Sequence, residues 1–151
     1  MIEAAVDDPA WTAALPGAVA LATRAAAAAL ADASGDVAIL LTGDEAVRAL
    51  NARFRGQDKA TNVLSFPATA GSDSLGDIAL AYGVCAAEAR AQAKPLADHL
   101  QHLVVHGALH LLGLDHADEV GADAMEARER AILAGLSVPD PYAARAGATH
   151  V

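Results

Sequence analysis

The chain has 151 residues, 54% of them hydrophobic but only 3% aromatic, and carries a net charge of −9. That length suits one domain with an aliphatic core in which helices pack through small side chains, without metal or disulfide staples. The single cysteine, Cys85, excludes an internal disulfide and points to a reducing compartment. The acidic balance argues against nucleic-acid binding unless a local basic patch exists, because phosphate contacts need Lys and Arg.

The opening MIEAAVDDPAW carries acids and no base, so it does not read as a secretory leader. The longest apolar stretch, residues 18–31, contains Arg24 and falls short of the roughly 20 residues that a bilayer span needs. A cytoplasmic protein without membrane contact is expected. Residues 13–33 read as an alanine-rich helix closed by Ser34-Gly35. Residues 36–42, DVAILLT, read as a buried strand. Thr42 and Glu45 follow as a T-x-x-E capping box, and the helix they open places Val47, Leu50 and Phe54 on one face until Gly56 stops it.

Residues 61–67, TNVLSFP, read as a second central strand. Beyond a Gly/Ser/Asp stretch, residues 75–81, LGDIALA, read as its hairpin-like partner. A helix is expected over 84–94. The next begins at Pro95, carries Leu96, Leu100, Leu103 and Leu111, and ends at Gly113. A last helix covers 119–134, with Gly135 past its end. Strands and helices do not alternate regularly. The fold class is therefore α+β, a single domain over residues 1–151 with a small mixed sheet of about four strands covered by helices.

The chemistry concentrates in His106-Gly-Ala-Leu-His110-Leu-Leu-Gly113-Leu-Asp115-His116. Residues four apart on a helix stand about 40° apart in azimuth and roughly 6 Å along the axis, so His106 and His110 can converge on one ion. Gly113 can take positive φ and turn the chain back, which brings His116 in as third ligand. His102 is also four residues before His106, but lies about 12 Å from His110 along a straight helix and is placed outside the metal's ligands. The spacing is that of the zinc-peptidase pattern H-E-x-x-H-x-x-G-x-x-H, with Gly107 where the glutamate base stands. Three neutral ligands leave the ion's double charge intact, which suits an anionic phosphodiester. Asp115 is a candidate to hold an imidazole tautomer or the nucleophilic water, or else a turn residue. Arg53, Arg55 and Lys59 form the basic patch. Arg55 can bind phosphate oxygens bidentately, and Lys59 can steer the backbone. Ser65 reads as a strand residue with no paired base. Cys85 opens a helix, where a thiol pKa can fall, but a buried structural role is the expectation.

HGALHLLGLDH closely resembles the signature of the YbeY family of rRNA maturation factors and endoribonucleases. The likeness extends to LNARFRGQDKATNVLSFP, to LGDIAL, to the region of Met125 and Glu126, and to Asp140-Pro141-Tyr142. It implies one zinc ion per chain at His106, His110 and His116. It implies a metal-dependent endoribonuclease specific for single strands, acting in 16S rRNA 3′-end maturation and ribosome quality control. Single-stranded RNA, including rRNA, and the small ribosomal subunit are the partners so implied, with no DNA. The family's functionally important arginine falls on Arg55. Some members carry Asp where Asn62 stands in TNVLSF. Two other readings stay open: a metallopeptidase-like hydrolase, and a non-catalytic ribosome-assembly factor with structural zinc.

Overall fold

Apolar residues alternate between two buried faces along the central strands, and this alternation decides the layers. The computed structural model describes residues 1–69, 71–114 and 118–142. Its strands are β1 (Ile2–Val6), β2 (Asp36–Thr42), β3 (Val63–Pro67) and β4 (Ser74–Ala81), in the sheet order β1-β2-β4-β3. β1 and β4 pair parallel with β2, and β3 pairs antiparallel with β4, Ser65 opposite Ile78 and Phe66 opposite Asp77. The sheet is mixed, as the sequence implies.

Val37, Ile39 and Leu41 of β2 and Ile78 and Leu80 of β4 face the main core. Leu40, Ala79, Ala81, Leu64 and Phe66 face the other way, towards Val47 and Leu50. The helices that cover the main-core face include α2 (Ala18–Leu30) and α5 (Leu96–Leu111), and α3 (Asp44–Arg55) lies against the second face. α2 buries Ala18, Ala22, Ala25, Ala26 and Ala29, a stripe of methyl groups that packs on α5 and β1. Besides α2, β3 and β4, α5 touches α4 (Tyr82–Ala91) and α6 (Glu119–Gly135), so it is the central helix of the molecule.

The N-terminal expectation of one helix over 13–33 is corrected. α1 (Ala10–Ala14) and α2 are separate, because Pro16 drives the preceding Leu15 out of the helical region, to φ −144° and ψ 84°. β1 ahead of them was not expected. Its sequence, IEAAV, has little β-branched character, and it forms by pairing with β2. The capping box at Thr42 and Glu45 does not form either. Thr42 is the last residue of β2 and its hydroxyl donates to Asp7, while Gly43 takes the N-cap position of α3. Gly135 lies inside α6, and Ser137 takes the positive φ beyond it, at 62°.

Trp11 anchors the N-terminal segment. It is fully buried, its indole N–H donates to the Thr42 carbonyl at 2.9 Å, and its ring meets Tyr82 edge to face at 5.3 Å. Trp11→Ala is expected to cost about 3–5 kcal/mol, from lost burial plus a residual cavity. Urea titration followed by far-UV circular dichroism checks this, since the variant lacks the chain's one tryptophan.

Candidate functional site

α5 approaches the sheet through a residue without a side chain. A Cβ at Gly107 would lie 3.1 Å from Ser65 Oγ and 3.1 Å from Ile78 Cγ2, tighter than side chains normally pack. The Ser65 hydroxyl donates to the Gly107 carbonyl at 3.2 Å, so this serine is a structural strand residue, as expected. With position 107 turned to the sheet, His106 and His110 lie about 100° and 60° away around the axis, in the same sense. Both line a cavity of about 860 Å3 between α5, β3 and the end of α3.

The two imidazoles converge there, with Nε2 of His106 3.0 Å from Nε2 of His110. Behind His106 stands Glu129 of α6, fully buried, with Oε1 2.7 Å from His106 Nδ1 and 3.4 Å from His102 Nε2. The Tyr142 hydroxyl donates to Oε2 of the same carboxylate at 2.5 Å. Burial opposes the charge on Glu129, but hydrogen bonds from His102, His106 and Tyr142 outweigh it and hold the carboxyl down at about 2. An anionic Glu129 only accepts, so Nδ1 of His106 carries the proton. Nε2, which carries no proton when the ring is neutral, faces His110. This is the carboxylate–histidine arrangement that orients metal-ligating imidazoles.

Two ligands at about 2.0–2.1 Å from a tetrahedral ion stand about 3.3–3.4 Å apart, within a few tenths of the separation here. The donor pair thus fits a divalent transition ion. Among the described residues no group of three His, Cys, Asp or Glu side chains completes such a site. The third expected ligand, His116, and its neighbour Asp115 lie outside the described residues. α5 ends as expected at Gly113, with φ 96°. Gly113 N–H donates to the His110 carbonyl and Leu114 N–H to the Leu109 carbonyl, which closes the helix.

Arg55 reaches the same cavity from the last turn of α3. It is exposed, its guanidinium donates to the Ser65 carbonyl at 2.6 Å, and Gly56 ends the helix beside it in the left-handed region at φ 67°. Asn51, buried, donates to the Lys59 carbonyl at 2.9 Å and pins the loop that brings Lys59 to the cavity wall. Arg48 draws off the nearby acid, Asp58, in an ion pair of 2.5 Å. Among the described residues no carboxylate lines the cavity. The acidic chain therefore presents a locally cationic cleft.

Asn62 at the rim donates to both oxygens of Glu88, which in turn holds His99 Nε2 at 2.8 Å. An amide fits there, where aspartate would face a second carboxylate. Cys85 is fully buried in the first turn of α4, and burial, with Glu88 and Asp44 nearby, pushes its thiol far up, so it is a structural residue.

His102, placed outside the metal's ligands, has a part behind them, since it shares Glu129 with His106. Glu129 itself was not singled out. It stands four residues after Met125 and four before Leu133, both buried, and that spacing on an apolar face marks a carboxylate turned inward.

The family model described as Endoribonuclease YbeY matches residues 8–137 of this chain. Endoribonuclease YbeY of Paramagnetospirillum magneticum is 48% identical over 157 residues, covering 93% of this chain and 96% of its own length. Endoribonuclease YbeY of Maricaulis maris is 51% identical over 146 residues, covering 93% and 91%. The solution structure of TM1509 from Thermotoga maritima matches with a TM-score of 0.57 and 23% identity, over 91% of this chain and 92% of that one, a likeness of fold.

Two outcomes follow from the buried polar groups. Glu129→Ala strips the acceptor from the His106 and Tyr142 donors at a buried position and is expected to cost about 2–4 kcal/mol in chemical denaturation, with Glu129→Gln costing less. His99 is held below its ordinary 6.5 by burial, which outweighs Glu88, with Lys94 and His102 also opposing the charge, and its Nδ1 has no partner among the described residues. The unfolded chain binds the proton more readily, so this contribution to stability is complete above pH 6.5 and declines as pH falls below it. Stability of the parent should therefore drop more than that of His99→Gln on acidification from about 7.5 to about 5.

Proposed function

Because the chain belongs to the Endoribonuclease YbeY family, we propose that it is a metal-dependent endoribonuclease cutting single-stranded RNA, with one zinc ion held by His106, His110 and His116. The observation that carries this reading is the convergence of the His106 and His110 Nε2 atoms, 3.0 Å apart, in a cleft that also holds Arg55. Maturation of the 16S rRNA 3′ end and ribosome quality control are the proposed setting, with the small ribosomal subunit as partner and the cytoplasm as location. Among the described residues no helix is long and apolar enough to cross a membrane.

In this reading each side chain has a stated role. A divalent ion at the histidines supplies Lewis acidity towards a phosphoryl oxygen and makes water a stronger acid. Glu129 holds the His106 ring in one tautomer and orientation. Arg55 binds the non-bridging oxygens of the scissile phosphate or its neighbour and stabilises the charge that builds there. Its bond to the Ser65 carbonyl keeps the guanidinium at the cleft, and Lys59 draws the backbone in. Asp115 is proposed to hold an imidazole tautomer or the nucleophilic water. Gly107 supports phosphodiester over peptide cleavage. A peptidase of this spacing needs an acid–base side chain to protonate the leaving amine. Position 107 faces Ile78 and Ser65 instead, and Glu129 is sealed behind His106.

The test compares single-stranded RNA, matching DNA and casein, with and without chelator. RNA cleavage abolished by chelator is expected, with about one equivalent of zinc by elemental analysis and its loss in His110→Ala. Arg55→Ala should lower kcat/KM on RNA about 100-fold or more while costing only about 1 kcal/mol of stability, because its side chain is exposed. Chelator-sensitive casein cleavage without RNA cleavage reverses the reading, and full zinc retention in His106→Ala, His110→Ala and His116→Ala alike overturns the ligand assignment.

A further inference from the structure

Outside the metal cleft the described residues include an aromatic pair that the core does not fully absorb. Phe54, near the end of α3, is 58% exposed although phenylalanine is scarce in this chain, which has two. Its ring meets the half-buried ring of Phe66 at 5.5 Å and an interplanar angle of 60°. Arg53 stands over Phe54 at 5.2 Å and Arg55 over Phe66 at 5.7 Å. This aromatic pair, bracketed by two guanidinium groups, opens on a second cavity of about 880 Å3 along the outer face of the sheet. The second cavity shares Arg55, Ser65 and Pro67 with the metal cleft, so the two are adjoining parts of one surface.

We propose that Phe54, backed by Phe66, is a stacking platform for an unpaired nucleobase of the RNA bound in the cleft, and that it gives the protein its preference for single strands. This rests on the ribonuclease reading above and deepens it. A base offers an apolar face carrying a backbone phosphate nearby, and the surface presents the complement, an exposed ring with two arginines beside the aromatic pair. Among the described residues no carboxylate is within ion-pair distance of Arg53 or Arg55. Acids do border the platform: Asp77 is the cross-strand neighbour of Phe66, and Glu3 lies further across the sheet. They repel phosphates and confine the strand to the arginine side, which runs back to Arg55 and the histidines. In a duplex the bases are already stacked on one another and their faces are closed to the ring, whereas a single strand turns one out at small cost.

The experiment measures KM and kcat on an end-labelled, non-self-complementary RNA, single-stranded and annealed to its complement. The proteins are the parent, Phe54→Ala and Phe54→Trp, each first checked for unchanged thermal unfolding and metal content. Phe54→Ala is expected to raise KM for the single strand about ten-fold, with kcat changed by less than about two-fold. It should also narrow the single-strand over duplex ratio, and Phe54→Trp should restore both. A set of RNAs with one base removed at successive positions should contain one that costs the parent about the same ten-fold and costs Phe54→Ala nothing further. Equal KM for parent and Phe54→Ala, in a parent that cuts single-stranded RNA, overturns the platform and leaves the ribonuclease reading intact. If sedimentation then shows the substitution dissociating a self-associated parent, the patch is an interface between copies. A parent that cuts no RNA overturns both the ribonuclease reading and the platform.

Discussion

Everything at the cleft depends on how closely α5 lies on β3 and β4. That approach is possible because Gly107 offers no side chain to Ile78 and Ser65, and it is fastened by the Ser65 hydroxyl on the Gly107 carbonyl. Once the helix is seated at this azimuth, His106 and His110 have one direction to point, into the space between β3 and the end of α3. The residue that distinguishes this motif from the peptidase pattern is therefore part of the packing that builds the site. A glutamate there would meet the sheet before it met a substrate.

The second constraint is the carboxylate behind the histidines. Glu129 is buried and ionised, a state that persists only because several donors meet it. Their hydrogen bonds offset the cost of burying that charge and fix the side chains of two helices and the segment at Tyr142 around one point. Two oxygens with directional lone pairs define where His106 points more narrowly than apolar contacts do. A charge network of this kind serves orientation more than net stability.

Charge is distributed to the same end. The chain is strongly acidic, yet Arg48 engages Asp58 and leaves Arg55 and Lys59 to set the sign of the cleft. Asn62 extends this pattern at the rim, where its amide takes up the Glu88 carboxylate that also holds His99. The cleft is thus assembled from local neutralisation, and the overall acidity keeps polyanions off the rest of the surface.

The sequence by itself determined the parts of the protein whose signals are local. The hairpin of β3 and β4, the helix that ends at Gly113, the four-residue spacing of His106 and His110 and the basic turn at Arg55 all follow from periodicity, punctuation and residue chemistry. So does the α+β class. Tertiary structure decided the rest. β1 exists because β2 offers it a parallel edge, not because IEAAV favours a strand. Thr42 carries a good capping side chain, but the β2 backbone claims it and its hydroxyl turns to Asp7. Glu129, His102 and Tyr142 stand up to forty residues apart in the chain, and no spacing rule joins them. The seating of α6 against α5, with the segment after α6, brings His102 and Tyr142 to the Glu129 carboxylate. A helix fixes angles between its own residues, whereas the meeting of two helices depends on every side chain packed between them.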